Sequence, residues 1–205
     1  MIKLVLATRN KNKIHEFKAL FKEFSDLDVS VLSLDDIGFY GDVEENGSTF
    51  EENAICKASV PARLGYIGIA DDSGLCVDAL NGAPGIYSAR YSSVDGEHGD
   101  DKANNAKLLD DLKNVPNGKR TARYYCALCL VRHKDDPVPL TVLASWEGAI
   151  GYKEIGANGF GYDPLFEVTG RNCTAAQLPP QIKNLISHRG RALQALTYKI
   201  EHNLF

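Results

Sequence analysis

Asp71 and Asp72 stand side by side where the short apolar run Ile67-Gly68-Ile69-Ala70 gives way to Ser73-Gly74. A glycine-bounded apolar run suits a buried strand, so the two acids are expected at its mouth. Mg²⁺ takes oxygen ligands, keeps several waters, and is usually held by one or two carboxylates together with substrate phosphates. Paired acids at a strand end therefore point to metal-assisted phosphate chemistry. Asp-Asp-Ser-Gly also favours a tight Asx turn facing water, and the pair taken alone leaves both readings open.

Other segments could supply partners. Thr8, Arg9, Asn10, Lys11, Asn12 and Lys13 link a first strand to a helix N-terminus, where backbone N–H groups and the helix dipole favour an anion. The loop lacks the Gly-x-x-x-x-Gly-Lys-Ser/Thr spacing of a P-loop, which disfavours that class of NTPase. In Glu44 to Lys57, Glu51 and Glu52 complement the dipole of a second helix. Glu45 lies before that helix and is freer to reach a metal, and Lys57 sits two turns inside it, either at the surface or in a cleft. Near the C-terminus, His188 and Arg189 open a helix behind Ser187, with Lys183 four residues earlier. Cations there oppose the dipole, a local cost unless an anion or an aromatic base receives them. Phe160, Gly161, Tyr162 and Asp163 offer rings for stacking and polar groups for a base edge, although such aromatics equally suit a core. Cys126 and Cys129 have the spacing of a thiol pair, but in a strand positions three apart face opposite sides of the sheet, so core cysteines are expected.

These groups need a scaffold. Strands are expected over Ile2 to Ala7 and Val29 to Leu32, and Ile14, Phe17, Phe21 and Phe24 recur at helical spacing. A helix from about Thr49 to Leu64 opens with Ser48 and Glu51 as a capping box and carries Ala54, Ala58 and Ala62 as a small-residue face. A helix across Lys102 to Leu112 precedes strands over Arg120 to Val131 and Leu140 to Trp146, joined as a hairpin by a charged turn ending in Pro137. Gly156 to Phe166 reads as a glycine-rich loop, and a last helix runs from about Ser187 to His202 with Ala192, Leu196 and Ile200 on one face. Helices interleaved with strands plus a hairpin make an α/β protein with a mixed sheet, in one domain across 1–205.

The 205 residues carry 23 basic and 27 acidic side chains, a formal charge of −4. No broad basic surface for a nucleic-acid backbone is expected from that balance. Five scattered cysteines point to a reducing, cytoplasmic compartment. The N-terminal residues have neither a cleavable leader nor a membrane-length apolar run, so no membrane partner is expected.

Five segments, spread over nearly the whole chain, resemble in wording and order the Ham1/RdgB family of inosine triphosphate pyrophosphatases. They are Leu6-Ala7-Thr8-Arg9-Asn10 with Lys13 and Glu16, Glu45 through Lys57, Ile69 through Tyr91, Phe160 through Phe166, and Ser187-His188-Arg189 with Ala192 and Leu193. The third is the most specific, with Ala-Asp-Asp-Ser-Gly followed by Gly-Ala-Pro-Gly-Ile-Tyr-Ser-Ala-Arg-Tyr.

The resemblance implies a long twisted mixed sheet flanked by helices, with two lobes around a central cleft, usually as a homodimer. It also implies Mg²⁺-dependent hydrolysis of ITP, dITP and XTP to the nucleoside monophosphate and pyrophosphate. Carried over by position, Asp72 is the general base and a metal ligand, with Glu45 and Asp71 helping to hold the metal. Lys13 and Lys57 neutralise the triphosphate. Thr8 to Lys13 and Ser73 contact substrate, and Phe160 to Asp163, Lys183, His188 and Arg189 form the purine pocket. Arg9 departs from the family pattern, where many members carry a smaller residue such as glycine, and either adds a phosphate contact or narrows the loop. The alternatives are a house-cleaning pyrophosphatase for another modified nucleotide and a non-catalytic nucleotide-binding regulator.

Overall fold

The computed structural model describes residues 2–24, 28–93 and 99–203; of Phe24 and Asn203 it describes the backbone, and their side chains lie outside the described residues. In chain order the elements are β1 (Ile2–Leu6), α1 (Lys11–Phe24), β2 (Val29–Ser33), α2 (Phe50–Arg63), β3 (Ile67–Val77), α3 (Asp101–Asp111), β4 (Thr121–Val131), β5 (Leu140–Ile150), β6 (Phe166–Val168), α4 (Pro180–Ile186) and α5 (His188–Asn203). The strands form a sheet in the order β2-β1-β3-β4-β5-β6. β1 runs parallel to both β2 and β3, whereas β5 and β6 are antiparallel, so the sheet is mixed and the class is α/β as expected.

Two elements depart from the sequence reading. The expected strand ending at Ala70 runs on through Asp71-Asp72-Ser73-Gly74 to Val77, so those residues make no turn. The Asx propensity is overridden because each carboxylate meets a cation on its own face of the strand. In α2 the cap is Thr49 rather than Ser48: Thr49 accepts the Glu52 N–H, and the Glu52 carboxylate accepts both the N–H and the hydroxyl of Ser48. The Thr49 half of a capping box is present, while Glu52 reaches back to the residue before the cap rather than to the cap itself.

The chain forms two compact units, Met1–Asp72 with Cys126–Ala144 and Arg189–Phe205, and Ser73–Tyr125 with Ser145–His188. The first unit has a core in which Leu4 and Leu6 of β1, Ile69 of β3, and Cys126, Leu128 and Leu130 of β4 meet Phe17, Leu20 and Phe21 of α1 and Leu193, Leu196 and Ile200 of α5. Strand alternation then sends Gly68, Ala70 and Asp72 to the opposite face of β3. There α2 approaches so closely that a Cβ on Gly68 would lie 1.9 Å from the Ala58 carbonyl oxygen, which explains a glycine inside a strand and the alanine face of α2. The second unit has its own core of Leu75, Val77, Leu108, Leu112, Tyr124, Trp146, Tyr162 and Phe166 among others. Among the described residues no helix is long and apolar enough to cross a membrane.

Candidate active site

Adjacent residues in a strand point to opposite faces, and this separates the two acids of the first unit. Asp71 shares the face of Ile69, which α1 and α5 cover. Its Oδ1 takes the Lys13 ammonium at 2.5 Å, and its Oδ2 accepts from Arg189 Nε at 2.9 Å and from the Cys126 thiol at 3.1 Å. Arg189 also holds Glu16 through Nη1 at 2.6 Å. Lys13 and Glu16 lie three apart on α1 and so share a face. Burial alone would push the Asp71 carboxyl up, but Arg189 and Lys13 hold it well below the usual carboxylate range.

Asp72 faces α2. Its Oδ1 takes Lys57 Nζ at 2.6 Å, and the same ammonium donates to Glu45 Oε1 at 2.9 Å. Asn53, one turn before Lys57, donates its amide to Asp72 Oδ2 at 3.2 Å and accepts the Gly47 N–H at 2.8 Å, tying the segment that carries Glu45 to the acid. Burial opposes the Lys57 ammonium, but Asp72 and Glu45 outweigh it and raise its pKa. Burial also raises the Asp72 carboxyl, and Lys57 offsets only part of that. A carboxylate whose pKa is raised is a better proton acceptor for water.

Among the described residues no group of three His, Cys, Asp or Glu side chains converges as a closed metal cage. Two carboxylates meeting at one ammonium, Glu45 and Asp72 at Lys57, nevertheless match the open donor set of Mg²⁺, whose remaining ligands are water and phosphate. Asp71 does not match it. Its oxygens are occupied by two fixed cations and a thiol, and a divalent ion there would be set against Lys13 and Arg189. These contacts favour Glu45 and Asp72 over Asp71 as the metal-facing acids.

The first loop is likewise redistributed. Asn10 Oδ1 caps α1 by accepting the N–H groups of Asn12 and Lys13, so the side chain already takes two of the donors expected to meet an anion. Thr8 Oγ1 accepts the Asn10 N–H. Arg9 donates to the carbonyls of Phe39 and Gly41, at 3.1 and 2.7 Å, and lies near Asp35. Lys11 and Asn12 remain exposed at the helix start.

In the second unit Asp163 organises the 159–163 loop. Its Oδ2 accepts the Phe160 N–H at 3.0 Å and the buried Lys183 ammonium at 2.6 Å, and Lys183 lies 5.2 Å over the Phe160 ring. Gly159 has φ +75°, and a Cβ there would come within 2.0 Å of Asp163 Oδ2, so the turn requires glycine. Tyr162 lies in the core of the second unit, buried, with its hydroxyl on the Ser88 carbonyl at 2.7 Å. His188 is buried and stacked on Tyr124 at 4.6 Å with the rings 8° from parallel. Ser73 follows Asp72 in β3 and is half-buried. Arg189 donates through Nε to Asp71 and through Nη1 to Glu16.

Asn53 was not singled out from the sequence. Its spacing of four before Lys57 on one helix, aimed at the same partner, is the signal that marks it. Cys126 was read as plain core, and its thiol in fact lies on Asp71.

The model of the Ham1 family matches residues 4–199. The chain is 49% identical over 202 residues to a dITP/XTP pyrophosphatase of Vibrio cholerae, covering 98% of each chain. It is 50% identical over 201 residues to a dITP/XTP pyrophosphatase of Bacillus cereus, covering 98% of this chain and 95% of the relative. A solved HAM1 protein from Coxiella burnetii superposes with a TM-score of 0.87 at 41% identity, covering 98% of this chain and all of the other.

Proposed function

The chain belongs to the Ham1 family, and from that premise we propose that it hydrolyses deaminated purine nucleoside triphosphates, ITP, dITP and XTP, to the nucleoside monophosphate and pyrophosphate. The observation that carries this reading is the meeting of Asp72 and Glu45 at Lys57 in a chain about half identical to dITP/XTP pyrophosphatases.

Water attacks the α-phosphorus, its proton passes to the Asp72 carboxylate, and the bond to the β-phosphate oxygen breaks to release pyrophosphate. Asn53 orients Asp72 through Oδ2, and Lys57 holds Oδ1 while neutralising phosphate charge. Mg²⁺, held by Glu45 and Asp72, would supply charge neutralisation and polarise the phosphoryl group. Lys13 adds positive charge at the start of α1. Phe160 supplies a ring for the base, and Lys183 and His188 supply polar edges that favour a 6-oxo over a 6-amino group. The enzyme works as a cytoplasmic homodimer; the resemblance supports the dimer, and the free state of all five cysteines supports a reducing compartment.

Pyrophosphate release from ITP, dITP and XTP beside ATP and GTP, with Mg²⁺ present, tests the reading. The three deaminated nucleotides are turned over preferentially, and equal turnover of all five would refute the specificity. Asp72→Asn lowers kcat about 10³-fold with an unchanged circular dichroism spectrum. Retained activity would remove Asp72 from its role.

A further inference from the structure

The loop assigned to the base is also held by α3. Asp101 Oδ2 accepts the Gly161 N–H at 2.8 Å, and Asn105 Nδ2 donates to the Gly161 carbonyl at 3.2 Å. Both polar groups of one residue are thus held by two side chains four apart on a single helix, which places them on one face. Gly161 itself has φ +62°, a left-handed conformation that leaves the loop no side chain here with which to hold itself.

Asn105 gives this grip a cost that packing does not explain. It is 3% exposed, and its nitrogen serves two acceptors, the Gly161 carbonyl and Glu154 Oε1 at 2.8 Å. Its oxygen is buried with no hydrogen-bond partner among the described residues. Turning the amide over would set its oxygen against both acceptors, so the arrangement is dictated by what Gly161 and Glu154 need. A buried acceptor left unmade is destabilising and calls for a reason.

We propose that Asp101 and Asn105 are positioning residues that set base selectivity by clamping the Gly161 peptide and, through it, the placement of Phe160. The proposal rests on the assignment of the 159–163 loop to the base. Asp163 and Lys183 hold the loop at Phe160, and α3 holds it at Gly161. With the α3 clamp released, Phe160 and the loop's backbone groups lose their fixed place against the purine. Substrate affinity and discrimination then fall, while the Asp72 centre in the first unit keeps its own contacts.

The test uses Asn105→Leu, which removes the amide and its orphaned oxygen at similar volume, together with Asp101→Ala and Asp101→Asn. In Asn105→Leu and Asp101→Ala, KM for ITP rises at least about fivefold, the ITP to ATP ratio of kcat/KM falls by a similar factor, and kcat at saturation stays within about twofold. Asp101→Asn keeps an oxygen acceptor for the Gly161 N–H and retains wild-type selectivity. The split between KM and kcat separates the clamp from a merely structural role: a released clamp raises KM for ITP and lowers discrimination at nearly unchanged kcat, whereas general destabilisation lowers activity on every substrate alike. A selective wild type beside an equally selective Asn105→Leu overturns the clamp, as does a uniform loss of kcat on every substrate with a lowered melting temperature. A wild type that turns over all five nucleotides equally overturns the base-recognition reading and the clamp with it.

Discussion

At the scale of single residues, two neighbouring aspartates with the same chemistry have opposite surroundings. Asp71 lies between Lys13 and Arg189 in a buried ion-pair network, while Asp72 shares Lys57 with Glu45. Substitution separates the two environments. Glu45→Gln raises the Mg²⁺ concentration giving half-maximal activity by about tenfold, measured by titration at fixed ITP. Asp71→Asn removes one partner of a buried network, lowers stability by about 3 kcal/mol in chemical denaturation, and leaves the Mg²⁺ requirement near that of the wild type. A Mg²⁺ requirement shifted as far in Asp71→Asn as in Glu45→Gln would return Asp71 to the metal.

Among the elements, the β4–β5 connection shows how a charged turn is made rigid. Asp136 accepts from Arg132 Nε at 2.9 Å and Nη2 at 2.5 Å, and from the backbone N–H groups of Arg132 and Val138 at 2.9 and 3.2 Å. The hydrogen bonds from Arg132 hold the Asp136 carboxyl well below its usual range. A carboxyl with a lowered folded-state pKa adds stability above its unfolded-state pKa and loses it as pH falls through the folded value. Asp136→Asn is therefore less stable than wild type by about 1 kcal/mol at pH 6 to 7, and the gap closes below about pH 4. Thermal melts of the two proteins from pH 7 to pH 2 check this; a gap that widens on acidification would refute it. Asp136 has its hydrogen bonds within the turn, to Arg132 and Val138, so activity at neutral pH is unchanged.

Across the whole molecule, the five cysteines report how deeply each part is packed. Cys56 is exposed, Cys76 and Cys173 are half-buried, and Cys126 and Cys129 are buried. Burial raises the Cys126 thiol well above its ordinary value, with Asp71 adding to the effect, and pushes Cys129 up to about 11. Thiolate is the reactive form. Iodoacetamide at pH 8 therefore labels native protein at Cys56 first and reaches Cys126 and Cys129 only on unfolding, as peptide mass spectrometry would show. Native labelling of Cys126 ahead of Cys56 would contradict the packing of the first core. In sedimentation the proposed homodimer has about twice the 22.4 kDa of the chain.

Much of this was legible in the amino-acid order. The strand and helix periods, the hairpin, the α/β class and the motif segments depend on local patterns, and the elements formed close to where those patterns put them. The cap of α2 moved by one residue because Ser48 and Thr49 offer equivalent hydroxyls. The Asp-Asp-Ser-Gly turn was misread because local turn propensity says nothing of cations brought from elsewhere. Lys13, Lys57 and Arg189 lie 58, 15 and 118 residues from the acids they meet. The sequence by itself determined which side chains are available and which family they belong to. Only the tertiary structure decided which acid faces two cations and which shares one with Glu45, because strand alternation sends neighbours to opposite faces and packing chooses what covers each.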